Sequence, residues 1–243
     1  KFLTNPKHIE IQILADTHGN VVTLGERDCS IQRKHQKLIE ESPSTVLTNK
    51  ERLKISELCR KAVKSIGYEG VGTLEFLYEN NKFYFMEMNT RLQVEHPVTE
   101  MVTNTDLVKQ QIFVAFGEKL NLTQDEIRIK GHSIECRINA EHSETFIPSP
   151  GKVYQYHQPG GLGVRVDSAV YQDYIIPPHY DSMIAKLITF GDSRYDCIQK
   201  MRRALEEYVI IGIDTNIQLH QKIMQSNDFT SGNYDINYMS RFD

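Results

Sequence analysis

The residues best suited to chemistry are concentrated in one segment, Phe83–Pro97. It opens as a strand with alternating side chains. It then has a polar residue at every second position, namely Glu87, Asn89, Arg91, Gln93 and Glu95. In an extended chain, alternate side chains point to the same face. We therefore expect these groups to line a single surface, and their variety is not typical of a strand that is merely solvated.

Each residue type in this segment suits a different part of one reaction. Carboxylate and amide oxygens bind a hard cation such as Mg²⁺ or Mn²⁺. A guanidinium pairs with a small planar anion. A metal at one end and an anion at the other is the arrangement needed to activate a small acid with ATP. The segment therefore predicts a site of that kind.

A predicted hairpin around Asn80-Asn81 carries a further carboxylate, Glu75, opposite the strand that contains Glu87. A two-residue loop would leave the two carboxylates on opposite faces. A three-residue loop, or a bulge, would place them opposite each other on one face. If both bind a metal, we expect the three-residue loop, because asparagine tolerates the left-handed conformation that such a loop needs.

The other elements are predicted from periodicity and end signals. Thr48 and Glu51 have the spacing of a capping box at the start of a helix that runs to Ile66. The apolar stripe of this helix is predicted to be Leu53, Leu58, Ala62 and Ile66. Further helices are predicted at Asp106–Phe116, Arg194–Val209 and Thr215–Met224. Strands are predicted at His8–Leu14, Val21–Glu26, Val71–Tyr78, Lys82–Asn89, His132–Asn139, Lys152–His157, Val164–Asp167 and Ser182–Phe190. The result is an α+β fold with mainly antiparallel strands.

Composition limits the possible classes of function. The 243 residues are 40% hydrophobic and 25% charged, which is ordinary for a globular protein. A net charge of −4 gives no electrostatic footprint for nucleic acid or an anionic membrane. The 4 cysteines lack Cys-x-x-Cys spacing, which argues against a zinc site or a disulfide framework and favours a reducing cytosol. Cys29 is interpreted as a small packing residue.

Four blocks of sequence stand in order along the chain, namely Glu26–Arg33, Glu87–Pro97, Glu135–Glu141 and Pro148–Lys152. Together they resemble biotin carboxylase, the ATP-grasp component of acetyl-CoA carboxylase and related biotin-dependent carboxylases. The resemblance covers essentially the whole chain. It implies the second half of an ATP-grasp domain at 1–121, followed by the biotin carboxylase C-terminal domain at 131–243. Carbamoyl phosphate synthetase shares the acidic pattern, but the third block and the C-terminal region differ from it.

The resemblance implies a role for each candidate residue. The implied metal ligands are Glu75, Glu87 and Asn89. The implied bicarbonate ligands are Lys37, Arg91, Gln93 and the Val94 amide. Glu95 is the implied base for bicarbonate, and Arg137 is implied to stabilise the enolate of biotin. The implied nucleotide contacts are Lys1, Leu3, His8, Gln32, His35, Leu77 and Ile236.

Three of these residues also have an ordinary structural interpretation. Glu75 alone could be a surface carboxylate of a strand. Arg137 could form a bridge with Glu135 or Glu141, and His35 could be a solvated residue in a basic run. The order and spacing of the four blocks together favour the functional interpretation.

The resemblance also implies the reaction and its partners. ATP and bicarbonate would form carboxyphosphate, and biotin on a biotin carboxyl carrier protein would be carboxylated for a carboxyltransferase. The expected context is a cytoplasmic homodimer in acetyl-CoA carboxylase and fatty acid synthesis, with pyruvate or another acyl-CoA carboxylase as the alternative. The family has an N-terminal domain and a mobile lid before the matched region. We therefore expect a truncated form or proteolytic product that is inactive alone. Two interpretations stay open for it, namely a part of the active site that binds nucleotide and metal, or a module that mainly folds and dimerises.

Overall fold

The computed structural model describes residues 2–242 and contains two compact units. One unit runs through Ser133 and takes in the chain from Tyr234 onward, and the other is Ile134–Asn233. Both combine helices with antiparallel strands, which confirms the α+β class. The domain boundaries at 121 and 131 stay a prediction. No helix among the described residues is long and apolar enough to cross a bilayer.

The secondary structure agrees with most of the predicted elements and adds several short ones. The strands are β1 (Lys7–Ala15), β2 (Val21–Arg33), β3 (Gln36–Ser42), β4 (Gly70–Glu79), β5 (Lys82–Asn89), β6 (His132–Asn139), β7 (Gly151–Lys152), β8 (Gln155–His157), β9 (Val164–Ser168), β10 (Ile175–Ile176), β11 (Met183–Gly191) and β12 (Val209–Ile211). The helices are α1 (Asn49–Ser65), α2 (His96–Thr103), α3 (Leu107–Ala115), α4 (Arg194–Glu207), α5 (Ile217–Gln225), α6 (Asn227–Ser231) and α7 (Tyr238–Arg241). The single strand predicted at Lys152–His157 is wrong, because β7 and β8 pair with different strands, β10 and β12.

Helix α1 begins at the predicted capping box but buries a different face. The Thr48 hydroxyl accepts a hydrogen bond from the Glu51 N–H, and the Glu51 carboxylate accepts one from the Thr48 N–H. The predicted stripe is wrong, since Leu53, Leu58 and Ile66 are exposed. Leu58, Ala62 and Ile66 have the same four-residue spacing as the buried series, so the periodicity alone does not decide which side of the helix meets the sheet. The buried series is Ile55, Cys59 and Val63.

The sheet of the first unit has an apolar face and a polar face. Its strands lie in the order β5, β4, β1, β2, β3, and the pairs are antiparallel. In β1, alternate isoleucines join the core cluster that includes the buried face of α1. The intervening residues therefore point to the opposite face. There Glu10 is paired with Arg27 of β2 on one side and with Glu75 of β4 on the other.

In the second unit, β6, β11 and β9 lie side by side. Ser193 caps α4 by accepting a hydrogen bond from the Asp196 N–H. The buried residues of α4 include Ile198, Met201 and Leu205. This unit carries Arg137 on β6.

Candidate functional site

A β-bulge sets the register that brings Glu75 opposite Glu87. The hairpin loop has two residues, Asn80 and Asn81, with φ of 52° and 58°. The expected three-residue loop is therefore wrong. Instead, the pairing shifts after Glu75, and Met86 becomes the extra residue of the bulge. The bulge, which was the other option for this register, places the two carboxylates on one face.

These two carboxylates converge on the side chain of Asn89. Its Nδ2 donates to Glu75 Oε1 at 2.8 Å and to Glu87 Oε1 at 3.2 Å. One small group thus bridges both carboxylates, and the Asn89 Oδ1 belongs to the same amide. Two carboxylates beside an amide side chain offer the oxygen ligands that Mg²⁺ and Mn²⁺ prefer. The residues present therefore fit the metal that the sequence predicts.

The Glu75 carboxylate is buried and surrounded by donors. His8 Nε2 lies 2.8 Å from its Oε2, and Gln93 Nε2 donates to its Oε1 at 2.6 Å. Burial alone would raise the pKa of Glu75, but the His8 hydrogen bond and the charge of Lys37 lower this pKa to about 2. Glu75 is therefore ionised at neutral pH, as a metal ligand must be.

Lys37 is the cation at the centre of the site. Its Nζ hydrogen-bonds to a carboxylate oxygen of Glu10, and it donates to Glu95 Oε1 at 2.6 Å. It also lies 3.4 Å from Glu75 Oε1. Burial disfavours the charged amine, but the surrounding carboxylates of Glu10, Glu95 and Glu75 raise the pKa of Lys37. A permanent positive charge therefore stands among three carboxylates.

Gln93 and Glu95 reach this site from a turn and not from a strand. Strand β5 ends at Asn89, and Glu95 immediately precedes α2. The prediction that alternation continues through Glu95 is therefore wrong. Pro97 in the first turn of α2 favours a helix start, which the extended interpretation overlooked. Gln93 and Glu95 are nonetheless buried beside Lys37, whereas Arg91 is exposed.

The residues expected at the nucleotide base are grouped near the start of β1. Leu77 is the partner of His8 across the β1–β4 pair. The N–H of Ile236 donates to the carbonyl of Pro6 at 3.0 Å, two residues before His8. Leu3 is half-buried. Lys1 lies outside the described residues.

The residues expected at the ribose lie on the β2–β3 hairpin. Gln32 is paired with Lys37 and is half-buried. His35 is exposed in the turn, with φ of 65°. This hairpin places Gln32 beside the Lys37 position, while His35 faces solvent. Val94, whose amide is expected at bicarbonate, is half-buried between Gln93 and Glu95.

Two buried charged residues of the site, Glu10 and Arg27, were missed by the sequence analysis. Glu10 contacts both Arg27 and Lys37. Burial would raise the pKa of Glu10, but the charges of Lys37 and Arg27 lower it. Two signals in the sequence could have identified them. Glu10 belongs to the polar residues that alternate with the isoleucines of β1, and Arg27 lies in one of the four sequence blocks.

Arg137 is held in the second unit by contacts to its backbone. Its carbonyl accepts hydrogen bonds from Asn216 Nδ2 at 3.0 Å and His220 Nε2 at 2.8 Å. Asn216 Oδ1 in turn accepts from the N–H of Asn139 at 2.8 Å. His220 is fully buried, and burial lowers its pKa to about 4. A neutral imidazole thus fixes the β6 backbone at Arg137.

Two protein-family models match the chain. The model described as "Carbamoyl-phosphate synthase L chain, ATP binding domain" matches residues 1–123. The model described as "Biotin carboxylase C-terminal domain" matches residues 135–241. The second match separates the chain from carbamoyl phosphate synthetase, in agreement with the sequence analysis.

Curated relatives match along nearly the whole chain. The biotin carboxylase of Haemophilus influenzae is 58% identical over 241 residues, which are 99% of this chain and 54% of that protein. One of the pyruvate carboxylase subunits of Methanothermobacter thermautotrophicus is 54% identical over 243 residues, which are 100% of this chain and 50% of that protein. The chain thus spans about half the length of the curated relatives it matches.

Solved structures of similar proteins have the same fold. The Campylobacter jejuni biotin carboxylase, in a β-γ-ATP complex, has a TM-score of 0.97 and 53% identity, covering 99% of this chain and 54% of that one. The biotin carboxylase domain dimer of Hydrogenobacter thermophilus 2-oxoglutarate carboxylase, with MgADP, ADP and bicarbonate, has a TM-score of 0.98 and 50% identity, covering 100% of this chain and 55% of that one.

Proposed function

Because this chain belongs to the biotin carboxylase family, we propose that it supplies the metal, bicarbonate and biotin residues of an ATP-dependent biotin carboxylase. The observation that carries the proposal is the cluster in which Lys37 lies among Glu10, Glu75 and Glu95, with Gln93 beside them. Such a cluster combines an anion-binding cation with a buried carboxylate that can accept a proton.

In the proposed first step, bicarbonate is made reactive. A bicarbonate oxygen attacks the γ-phosphorus of ATP, ADP leaves, and carboxyphosphate forms. Lys37, Gln93, Arg91 and the Val94 amide hold the bicarbonate, and Glu95 accepts its proton. Glu95 is buried, and a buried position suits this base because it keeps out water that would compete with bicarbonate for the phosphoryl group.

Glu75, Glu87 and Asn89 are the residues that would hold Mg²⁺ or Mn²⁺, whose charge neutralises the phosphate oxygens during transfer. The low pKa of Glu75 keeps this ligand ionised. Leu3, Leu77 and Ile236, with His8, Gln32 and His35, are proposed for the nucleotide itself. Lys1 is proposed there as well.

In the proposed second step, carboxyphosphate breaks into carbon dioxide and phosphate. The phosphate takes the proton from a ureido nitrogen of biotin, and that nitrogen attacks carbon dioxide. The enolate oxygen formed in this step is negative. Arg137 would stabilise it, because a guanidinium stays protonated and presents a planar fork.

We also propose the partners and the compartment. The biotin would be carried by a biotin carboxyl carrier protein, and a carboxyltransferase would use the product, with acetyl-CoA as the first candidate acceptor and pyruvate as the second. A homodimer is proposed by analogy with the dimeric relative. The buried cysteines Cys29, Cys59, Cys136 and Cys197 are present as reduced thiols, which supports the reducing cytosol as its compartment.

The test is ATP-dependent incorporation of radiolabelled bicarbonate into free biotin by the protein at its natural length. Glu95→Gln keeps the size of the side chain but cannot accept the proton. We expect it to lower the rate roughly 100-fold or more while ATP binding is retained. Glu118→Gln, at an exposed position, is the matched control. An active Glu95→Gln protein would contradict the role of this base, and an inactive wild-type protein would contradict the function.

A further inference from the structure

The guanidinium of Arg27 lies fully buried beneath the proposed bicarbonate site. Its Nε and Nη2 donate to Glu10 Oε2 at 3.1 and 3.0 Å. Its Nη1 donates to Gln12 Oε1 at 2.5 Å and Thr99 Oγ1 at 3.1 Å. Its Nη2 also donates to Thr73 Oγ1 at 3.1 Å and to Gln93 Oε1 at 2.7 Å. The group is therefore held from several elements of the first unit.

Stabilisation of the fold is by itself a weak explanation for a buried arginine. Removing a guanidinium and a carboxylate from water is costly, and a buried ion pair is often no more stable than an apolar replacement of the same size. A buried arginine that contacts a site residue directly therefore calls for a functional reason.

That reason is the orientation of the Gln93 amide. The two ends of an amide differ, because the oxygen only accepts hydrogen bonds and the nitrogen only donates them. Arg27 has only donors, so the Oε1 end of the amide must face it. The Gln93 Nε2 must then point the other way, and it does so, donating to Glu75 Oε1 at 2.6 Å.

We propose that Arg27 is a positioning residue for bicarbonate, which it serves by fixing the Gln93 amide with its NH₂ group on the side of Glu75 and Lys37, where the anion is proposed to bind. This inference rests on the proposed function. Without Arg27 the hydrogen bond to Glu75 is left to orient the amide, and because the terminal torsion has a broad two-fold preference, the form turned by half a turn becomes populated. The oxygen would then face the anion and repel it.

The test is the kinetics of Arg27→Lys in the protein at its natural length. Lysine keeps the charge but cannot reproduce the planar fork. We expect the KM for bicarbonate to rise roughly tenfold or more, in keeping with the loss of a hydrogen bond from a charged group. The KM for ATP should stay within about twofold, because Arg27 contacts the proposed bicarbonate residue Gln93, whereas its other contacts, Glu10, Gln12, Thr73 and Thr99, are not proposed for the nucleotide. Equal rises in both constants would overturn the inference.

A matched control is available at Arg52, which contacts the residue next to Arg27 on the same strand. Glu26 points to the opposite face from Arg27, where Arg52 donates to it through Nε and Nη2. Arg52→Lys therefore makes the same chemical change at another buried carboxylate. It should lower the melting temperature without changing the KM for bicarbonate. If it raises that KM as much as Arg27→Lys does, the effect is general loosening and the inference fails.

A double-mutant cycle with Gln93→Met separates orientation from other roles of Arg27. Once the amide is gone, Arg27→Lys should raise the KM for bicarbonate no further, because both changes remove the same contact. Additive effects would overturn the inference. If Arg27→Lys does not fold, Thr99→Val removes one anchor of Arg27 and should raise the same KM roughly twofold to fivefold, whereas no rise would overturn the inference. A wild-type protein without bicarbonate-dependent ATP hydrolysis would instead refute the proposed function.

Discussion

The buried His220 should make the stability of the second unit depend on pH in a way that one substitution removes. His220 is fully buried, and its Nε2 lies 2.8 Å from the Arg137 carbonyl. Burial lowers the pKa of this imidazole from 6.5 to about 4. Between those two values the unfolded chain binds a proton that the folded chain does not. Stability is therefore highest above pH 6.5 and falls as the pH drops toward 4.

The size of this effect follows from the difference in pKa. Each pKa unit corresponds to about 1.4 kcal/mol. The gap between 6.5 and about 4 should cost about 2 kcal/mol of unfolding free energy at pH 5 and about 3 kcal/mol at pH 4, relative to pH 8. His220→Gln cannot take up a proton in this range, and its amide can still donate to the Arg137 carbonyl.

The assay is urea unfolding followed by circular dichroism at pH 8, 6, 5 and 4. The unfolding free energy of the wild type minus that of His220→Gln is the quantity of interest. The contributions of carboxylates that titrate in both proteins cancel in this difference. This difference should fall with pH by the amounts above. His157→Gln, at an exposed histidine of the same unit, is the control and should show no such pH-dependent difference. A flat difference for His220→Gln would refute the assignment of a neutral, buried imidazole.

Three further changes test the register, the biotin step and the start of α1. Deleting Met86 removes the bulge but leaves Glu87 opposite Glu75, because Phe85 remains opposite Phe76, so Mn²⁺ affinity measured by electron paramagnetic resonance should stay within about threefold; a tenfold loss would contradict this register. Arg137→Ala should lower biotin carboxylation roughly 100-fold and spare bicarbonate-dependent ATP hydrolysis, with partial recovery in Arg137→Lys; a lower melting temperature with an unchanged rate would indicate a structural role. Thr48→Ala should lower the unfolding free energy by about 1 kcal/mol, and no loss in urea titration would refute the capping box.

Elements with strong local signals were predicted well from the sequence. Strand β6 has the predicted bounds, and α1 starts at the predicted capping box. These features depend on residues that are neighbours in the chain. The buried face of α1 was predicted wrongly, because it depends on which side meets the sheet, where Ile55, Cys59 and Val63 join the core.

The register of the hairpin shows why part of the site could not be predicted from the sequence. The loop at Asn80-Asn81 was correctly located, but its length alone would put Glu87 on the wrong face. The bulge arises where Phe85 pairs with Phe76, whose ring centroids are 5.8 Å apart. Pairing across strands is a tertiary property, and no single segment of sequence specifies it.

The same limit applies to Glu10 and Arg27. The strands that contain them were located at least in part from the sequence. The pairing of β1 with β2 and β4, however, is what brings Glu10 and Arg27 under Gln93. The roles of the candidate residues came from the family resemblance, and the geometry supports the grouping of Lys37, Glu75, Gln93 and Glu95.

The central claim is that this site phosphorylates bicarbonate, and an oxygen label tests it most directly. The protein at its natural length is supplied with ATP, biotin and bicarbonate fully labelled with oxygen-18, and the phosphate released is analysed by phosphorus NMR or mass spectrometry. If a bicarbonate oxygen attacks the γ-phosphorus and carboxyphosphate then releases carbon dioxide, that oxygen stays on phosphorus. We predict one labelled oxygen in each phosphate formed early in the reaction. Phosphate without the label, released at the rate of biotin carboxylation, would contradict the account.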